Sequence, residues 1–281
     1  RNFGKHVEET LEHWRKQGVK IHFEIPMGFV KLPSVMVPTR STVKRPPEVE
    51  WFDYEIEATA VIGRRAERVS EECALDAVFG YTILNDLSAR ELQRKEMANQ
   101  SILIGKNFPG FGPLGPWILT ADEVPDPSVL KLRLTVNEEL RQEASCTDLI
   151  FPFPKMIAHW SRMGLDRGDL LTTGSPEGVA IGRPDPAPFY LKPGDVVRAT
   201  VEQIGTLEAR IGRPRPRRSP PTRHKGGSMK ALLALSLALA TWMASAAGSY
   251  PDRPIRLIVP FAPGQVTDWL ARFVGEQMGA E

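Results

Sequence analysis

Three carboxylates are the residues of this chain best suited to chemistry. Glu55 and Glu57 stand in Asp53-Tyr54-Glu55-Ile56-Glu57, and Asp86 closes the apolar run Gly80-Tyr81-Thr82-Ile83-Leu84-Asn85-Asp86. On a strand, residues i and i+2 point to the same face. The spacing therefore predicts Glu55 and Glu57 aimed together, with Tyr54 and Ile56 facing the other way. An isolated Glu-x-Glu on a strand is most often a solvated face. Here the following segment, Ala58-Thr59-Ala60-Val61-Ile62-Gly63, reads as buried. Carboxylates leading into a buried strand need partners. A hard divalent cation with oxygen ligands is the obvious one, and three carboxylates leave octahedral positions for water and a bidentate substrate.

The elements that must position these groups follow from the pattern. Residues 1–212 read as one strand-rich α+β domain. Strands are expected over 57–63, 79–84, 115–120, 131–137, 169–173 and 195–205, between Gly and Pro punctuation. Helices are expected over 71–77 with Ser70 as N-cap, over 154–163, and over 6–17, where Val7, Leu11 and Trp14 form one stripe.

Composition sets the outer bounds. With 281 residues, 42% of them hydrophobic and 25% charged, the chain is globular in type and holds one large or two ordinary domains. A net charge of +2 implies no strong electrostatic partner. Cys73 and Cys146 lie far apart with no CxxC spacing, which argues against a zinc site and a disulfide framework. Both are expected as reduced thiols packed like small hydrophobes.

A seam falls near residue 213. Arg213, Arg215, Arg217, Arg218, Arg223 and Lys225 alternate with Pro214, Pro216, Pro220 and Pro221, and no acid interrupts them. Residues 213–228 read as a basic, Pro-rich linker. The stretch has no aromatic residue to stack on bases, so nucleic acid is not expected as a partner. Residues 229–248 have the form of a secretory signal peptide. Met229-Lys230 is followed by an apolar run over 231–240 and by Ala244-Ser245-Ala246-Ala247-Gly248. A membrane anchor over 231–247 is the alternative, although the run is short and Ala-rich for a span. Residues 249–281 contain Tyr250-Pro-Asp-Arg-Pro-Ile-Arg-Leu-Ile-Val-Pro-Phe-Ala-Pro-Gly264, with Thr267-Asp268 and Ala271-Arg272. Together, 229–281 resemble the start of a tripartite tricarboxylate transporter substrate-binding protein of the periplasmic Bug family. Gln265 stands where that family usually has Gly.

Residues 1–212 carry a second resemblance. The segments are Arg1-Asn2-Phe3 with His6 and Glu9; Asp53-Tyr54-Glu55-Ile56-Glu57; Gly80-Tyr81-Thr82 with Asn85-Asp86-Leu87-Ser88-Ala89-Arg90 and Gln93; Gly105-Lys106-Asn107-Phe108; Leu114-Gly115-Pro116-Trp117; and Thr172-Thr173-Gly174-Ser175-Pro176-Glu177-Gly178-Val179. In this order they resemble the fumarylacetoacetate hydrolase family in its short bacterial form, which includes acylpyruvate and fumarylpyruvate hydrolases. The resemblance implies a mixed β-sheet fold, a homodimer, and a divalent ion on Glu55, Glu57 and Asp86, Mg2+ first and Mn2+ or Ca2+ next. It implies a cytoplasmic enzyme for 1–212, while 229–281 look like a precursor for periplasmic export.

The implied reaction is cleavage of a carbon–carbon bond in a 1,3-diketo acid. His6 and Glu9 are three apart and share a helix face. A His held by a carboxylate takes a proton from water near neutral pH. The family pattern assigns Lys106 and Gln93 to oxyanion stabilisation. It assigns Arg90, Thr173 and Ser175 to the substrate carboxylate, with an ion pair near Asp86 as the other role for Arg90. The same cradle suits decarboxylation or isomerisation of 2-oxo acids, which the fold does not distinguish.

Several departures carry expectations of their own. Pro109 replaces the usual Asp after the Lys106 segment, and Ser175 stands where Thr is common. Asn137-Glu138 replaces Asn-Gly, which disfavours a tight type I′ hairpin. The family's usual strand before Asn2-Phe3 is missing, so 1–212 read as N-terminally truncated. The expected origin is two neighbouring genes read as one chain, with a carboxylate-binding fragment after the seam. Sequencing the gene tests this: a stop codon near residue 213, or an independent start at Met229, is expected. A continuous frame across the seam in related genomes excludes it.

Overall fold

A computed structural model describes residues 24–99 and 101–214 of the protein. The expected helix over 6–17, most of the linker and everything from 229 onward lie outside the described residues. Two five-stranded mixed sheets form the body. The first is built from β1 (Met36–Pro38), β4 (Ile56–Ile62), β5 (Val78–Asn85), β7 (Gly112–Thr120) and β10 (Leu170–Thr172), in the order β1-β7-β5-β4-β10. The second holds β2 (Ser41–Lys44), β8 (Lys131–Val136), β9 (Glu139–Ser145), β11 (Val196–Val201) and β12 (Gly205–Gly212), in the order β2-β12-β11-β8-β9. A two-stranded patch pairs β3 (Phe52–Asp53) with β6 (Ser88–Ala89). Among the described residues two α-helices complete it, α1 (Arg90–Ala98) and α2 (Phe153–Trp160).

Burial explains the strand patterns. Every residue of β4 is buried, as its near-continuous apolar sequence requires of a strand covered on both faces. β11 alternates, with Val197, Ala199 and Val201 inward against Leu132, Leu134, Leu207 and Ala209. The core between the sheets also takes Phe52, Tyr54, Ile56, Tyr81, Phe111 and Phe153. Phe52 and Phe111 stack with centroids 4.9 Å apart, joining the small patch to the core beneath the carboxylates.

Five expected strands form within a few residues of their expected limits. The sixth, over 195–205, is two strands. β11 ends at Val201, Ile204 N–H donates to the Val201 carbonyl at 2.9 Å, and Gly205 opens β12 at a φ of +111°. The helix expected over 71–77 is only a 3₁₀ turn, Ala74–Ala77, so Ser70 caps no α-helix. The stretch is too short to repay helix nucleation before β5 claims Val78. Residues 154–163 divide into α2 and a 3₁₀ turn, Ser161–Met163. Both cysteines are free; Cys146 is buried as expected, with its thiol pushed up to about 12 by burial, whereas Cys73 is exposed.

The β8–β9 turn also departs from expectation. Asn137 and Glu138 both take positive φ, 50° and 69°, and join the strands by a two-residue loop. The Asn137 side chain holds this geometry. It donates to Asp195 Oδ1 at 2.7 Å and accepts from Val196 N–H at 2.9 Å, while Glu138 pairs with Arg198. The hairpin matters because β9 carries Gln142 into the site region.

Gly178 packs directly against β9. Its φ is +100°, and a Cβ there would meet the Arg141 carbonyl oxygen at 2.1 Å. Gly168 has a φ of +94° and open space around it. Gly178→Ala is expected to lower the unfolding free energy by roughly 3 kcal/mol or more, and Gly168→Ala by roughly 1 kcal/mol. Equal losses in urea titrations would show that backbone contact at Gly178 is unimportant.

Candidate metal centre

The three carboxylates meet where β4 begins and β5 ends. Antiparallel pairing sets Ile56 opposite Asn85, so Glu55 and Asp86 flank one end of the ladder. Glu55 N–H donates to Asn85 Oδ1 at 3.1 Å, and Asp86 N–H donates to the Glu55 carbonyl at 2.8 Å. One ligand oxygen from each of Glu55, Glu57 and Asp86 lies within 4.8 Å of the others, and all three residues are buried. The expected convergence is therefore observed, with Glu55 just ahead of β4 and Glu57 on it.

Three cations surround this charge. Lys106 ends a 3₁₀ turn, Ile104–Lys106, and its Nζ lies 2.5 Å from Glu55 Oε2 and 2.6 Å from Asp86 Oδ2. Lys31 Nζ reaches Asp86 Oδ1 at 2.5 Å and donates to the Lys106 carbonyl at 2.6 Å. Arg90, the first residue of α1, donates through Nε to Asp53 Oδ2 at 2.8 Å and through Nη2 to Glu55 Oε1 at 2.6 Å. Its Nη1 donates to Gln93 Oε1 at 2.8 Å. The guanidinium is thus an ion-pair partner of Asp53 and Glu55.

Burial and the facing charges together set the protonation balance. Burial works against the charge on Arg90 and on Lys106, but the facing carboxylates more than offset it, and both cations are held above their ordinary ranges. Lys31 is pulled down by burial, against the attraction of Asp86. Glu57 is pushed up to about 8, by burial first and then by Asp86 and Glu55. Four carboxylates, with Asp53, face three cations, so full ionisation leaves negative charge for a further cation. The all-oxygen donor set fits a hard divalent ion. The buried acidic triad could hold such a metal.

The Ser175 hydroxyl is buried and accepts from Gln142 Nε2 at 2.8 Å. Thr173 Oγ1 donates to the Gly174 carbonyl at 2.8 Å, while its neighbour Thr172 is the threonine that hydrogen-bonds Glu57. His6 and Glu9 lie outside the described residues. Sequence reasoning missed Lys31, Asp53, Gln142 and Thr172. Asp53 is fully buried and also accepts from Ala180 N–H at 2.8 Å and Ile181 N–H at 3.1 Å. Gln142 Oε1 accepts from Ile56 N–H at 3.0 Å, which ties β9 to the start of β4. Asp53 adjoins the acidic motif and had a visible signal; Lys31 and Gln142 had none.

Residues 1–212 match the family model described as fumarylacetoacetate (FAA) hydrolase C-terminal. The chain belongs to the fumarylacetoacetate hydrolase family. This member of the family is 40% identical over 191 residues to oxaloacetate tautomerase YisK of Bacillus subtilis, covering 67% of this chain and 62% of that protein. It is 38% identical over 188 residues to a 4-hydroxyphenylacetate degradation bifunctional isomerase/decarboxylase of Salmonella dublin, covering 66% and 41%. The structure of a fumarylacetoacetate hydrolase from Exiguobacterium antarcticum superposes with a TM-score of 0.62 at 36% identity, covering 66% of each chain. The chain thus spans about three fifths of the tautomerase it matches. Among the described residues, no helix is long and apolar enough to cross a membrane.

Glu57 yields a pH prediction. Its folded-state pKa is raised from 4.5 to about 8, so the folded protein holds a proton that the unfolded chain has released between those values. Stability without divalent ions therefore falls as pH rises from about 4.5 through about 8. Urea midpoints in chelator are expected to show this slope in the wild type and to lose it in Glu57→Gln. The same slope in both proteins would assign it to other groups.

Proposed function

We propose that this protein is a divalent-metal-dependent hydrolase that cleaves the carbon–carbon bond of an acylpyruvate-type 1,3-diketo acid. The observation that carries this reading is the convergence of buried Glu55, Glu57 and Asp86 beside the Lys106 ammonium. Membership of the fumarylacetoacetate hydrolase family supports it. Mg2+ is the proposed ion, because all three ligands are hard carboxylate oxygens. A bound ion supplies Lewis-acid polarisation of the 2-oxo carbonyl and charge for the departing group.

The chain's own residues do the rest. Lys106 presents N–H donors where negative charge develops on oxygen. Arg90 holds Glu55 in place through Nη2 and braces Gln93 through Nη1. In this reading His6 takes the proton of the attacking water and Glu9 orients the imidazole. Water adds to the distal carbonyl, the carbon–carbon bond breaks, and its electron pair leaves with the pyruvate enolate. Protonation at carbon then gives pyruvate. Thr173 and Ser175 lie on the wall proposed to receive the substrate carboxylate.

A second reading is keto–enol interconversion of oxaloacetate, favoured by the 40% identity with a tautomerase of that name. It makes the same demand for enolate stabilisation but adds no water. A direct assay separates the two. The full chain with Mg2+ is expected to consume acetylpyruvate or fumarylpyruvate and release pyruvate, with chelator abolishing the loss. Glu55→Gln is expected to lower the rate on the order of a thousandfold. Glu9→Gln should abolish hydrolysis and spare Mg2+ binding. Ketonisation of enol-oxaloacetate without pyruvate release from the diketo acids would replace the first reading by the second. No Mg2+ binding in calorimetry would refute both.

A further inference from the structure

Lys31 and Lys106 reach the carboxylates from segments far apart in sequence, and one side chain ties those segments together. Asn107 Oδ1 accepts from Leu32 N–H at 2.6 Å. Its Nδ2 donates to the Val30 carbonyl at 3.0 Å and to the Leu103 carbonyl at 2.8 Å. One amide thus grips the strap on both sides of Lys31 and the turn that ends in Lys106. The join continues at the site, where Lys31 Nζ donates to the Lys106 carbonyl, and the Phe29 ring lies 5.1 Å from Lys106 Nζ. The turn is pinned from its other side. Glu96 on α1 accepts from the N–H groups of Leu103, Ile104 and Gly105, at 3.2, 2.6 and 3.0 Å. Gly105 packs so close to α1 that a Cβ would meet Gln93 N at 2.8 Å. The turn therefore has a rigid support, whereas the strap carries exposed apolar residues, Met27 at 69% and Val30 at 56%. It has little burial of its own to hold it.

We propose that Asn107 is the positioning residue for both ammonium groups: it latches the Lys31 strap onto the Glu96-braced turn and so sets Lys31 and Lys106 against Asp86. The latch is a statement about structure. Its consequence for turnover rests on the reading under Proposed function. Asn107 itself touches no reacting atom. Position is what the latch controls, and a displacement of about 1 Å at such a group can cost on the order of a hundredfold in rate.

Two variants of the full chain test it. Asn107→Asp keeps the shape and the acceptor for Leu32 N–H but replaces the Nδ2 donor with an oxygen facing two carbonyls. Asn107→Ala removes all three bonds. The first readout is acetic anhydride labelling of lysines, resolved by mass spectrometry. The Lys31 and Lys106 side chains are 8% and 2% exposed, while Lys131 is 70% exposed and serves as reference. Labelling of Lys31 is expected to rise about tenfold or more in both variants, and labelling of Lys106 to rise with it, with Lys131 unchanged and the thermal midpoint near the wild type. Unchanged Lys31 labelling, or raised labelling accompanied by a thermal midpoint well below the wild type, would overturn the latch.

The second readout is turnover, with kcat expected to fall about tenfold or more at saturating Mg2+. Raised labelling with unchanged kcat would overturn the catalytic consequence. If the wild type turns over neither diketo acids nor oxaloacetate, the functional reading fails, and the labelling still decides the latch.

Discussion

Burying negative charge beside negative charge is the constraint on which this structure depends. Glu55, Glu57, Asp86 and Asp53 lie within one region of the interior, each almost fully removed from water. A carboxylate so placed is expensive unless it is paired and hydrogen-bonded. The surrounding architecture is largely an answer to that cost. β3 and β6 pair in two residues, which brings Arg90 to the head of α1 against Asp53 and Glu55. Lys31 pairs with one oxygen of Asp86 and Lys106 with the other. Removing one member of such a buried set typically costs about 3–5 kcal/mol, because it strands the others. Paired this way, the cluster keeps a surplus of negative charge that a metal ion could neutralise.

Asp53 shows how few residues connect the parts. Its two oxygens accept from Arg90, from Tyr54 N–H and from the backbone of Ala180 and Ile181. One side chain therefore joins the acidic strand, the first helix and the loop that follows Ser175. Gln142 does the same for β9, binding Ile56 N–H with its oxygen and the Ser175 hydroxyl and Pro176 carbonyl with its nitrogen. The segment from Ser175 to Ile181 is thus held to the acidic strand by one amide and one carboxylate.

What could be read in the sequence divides along these lines. The Glu55–Glu57 pair and the buried β4 were legible because period and hydropathy are local properties. Lys106 and Arg90 were legible only as parts of a family pattern, since a buried lysine and a solvated one carry the same letter. Lys31 was not legible at all: it stands 55 residues from Asp86, in a stretch with no period. Thr172 and Thr173 could not be told apart, because which one faces Glu57 depends on the register of β10 against β4. The short strands β1, β3 and β6 owe their existence to partners rather than to propensity. The Asn137-Glu138 turn shows the reverse case. Local preference disfavoured it, and Asp195 and Arg198, more than fifty residues away, hold it in place.

One pairing described above bears on how the domain is made. β2 lies at the edge of its sheet and bonds in parallel to β12, Ser41 opposite Ala209. On a ribosome, β2 leaves the exit tunnel long before its partner has been translated. Val43, buried in the finished domain, is then exposed on an unpaired edge for most of synthesis. Sheets closed by such distant segments form slowly. Until β12 has been made, the unpaired edge of β2 is a site where aggregation can start.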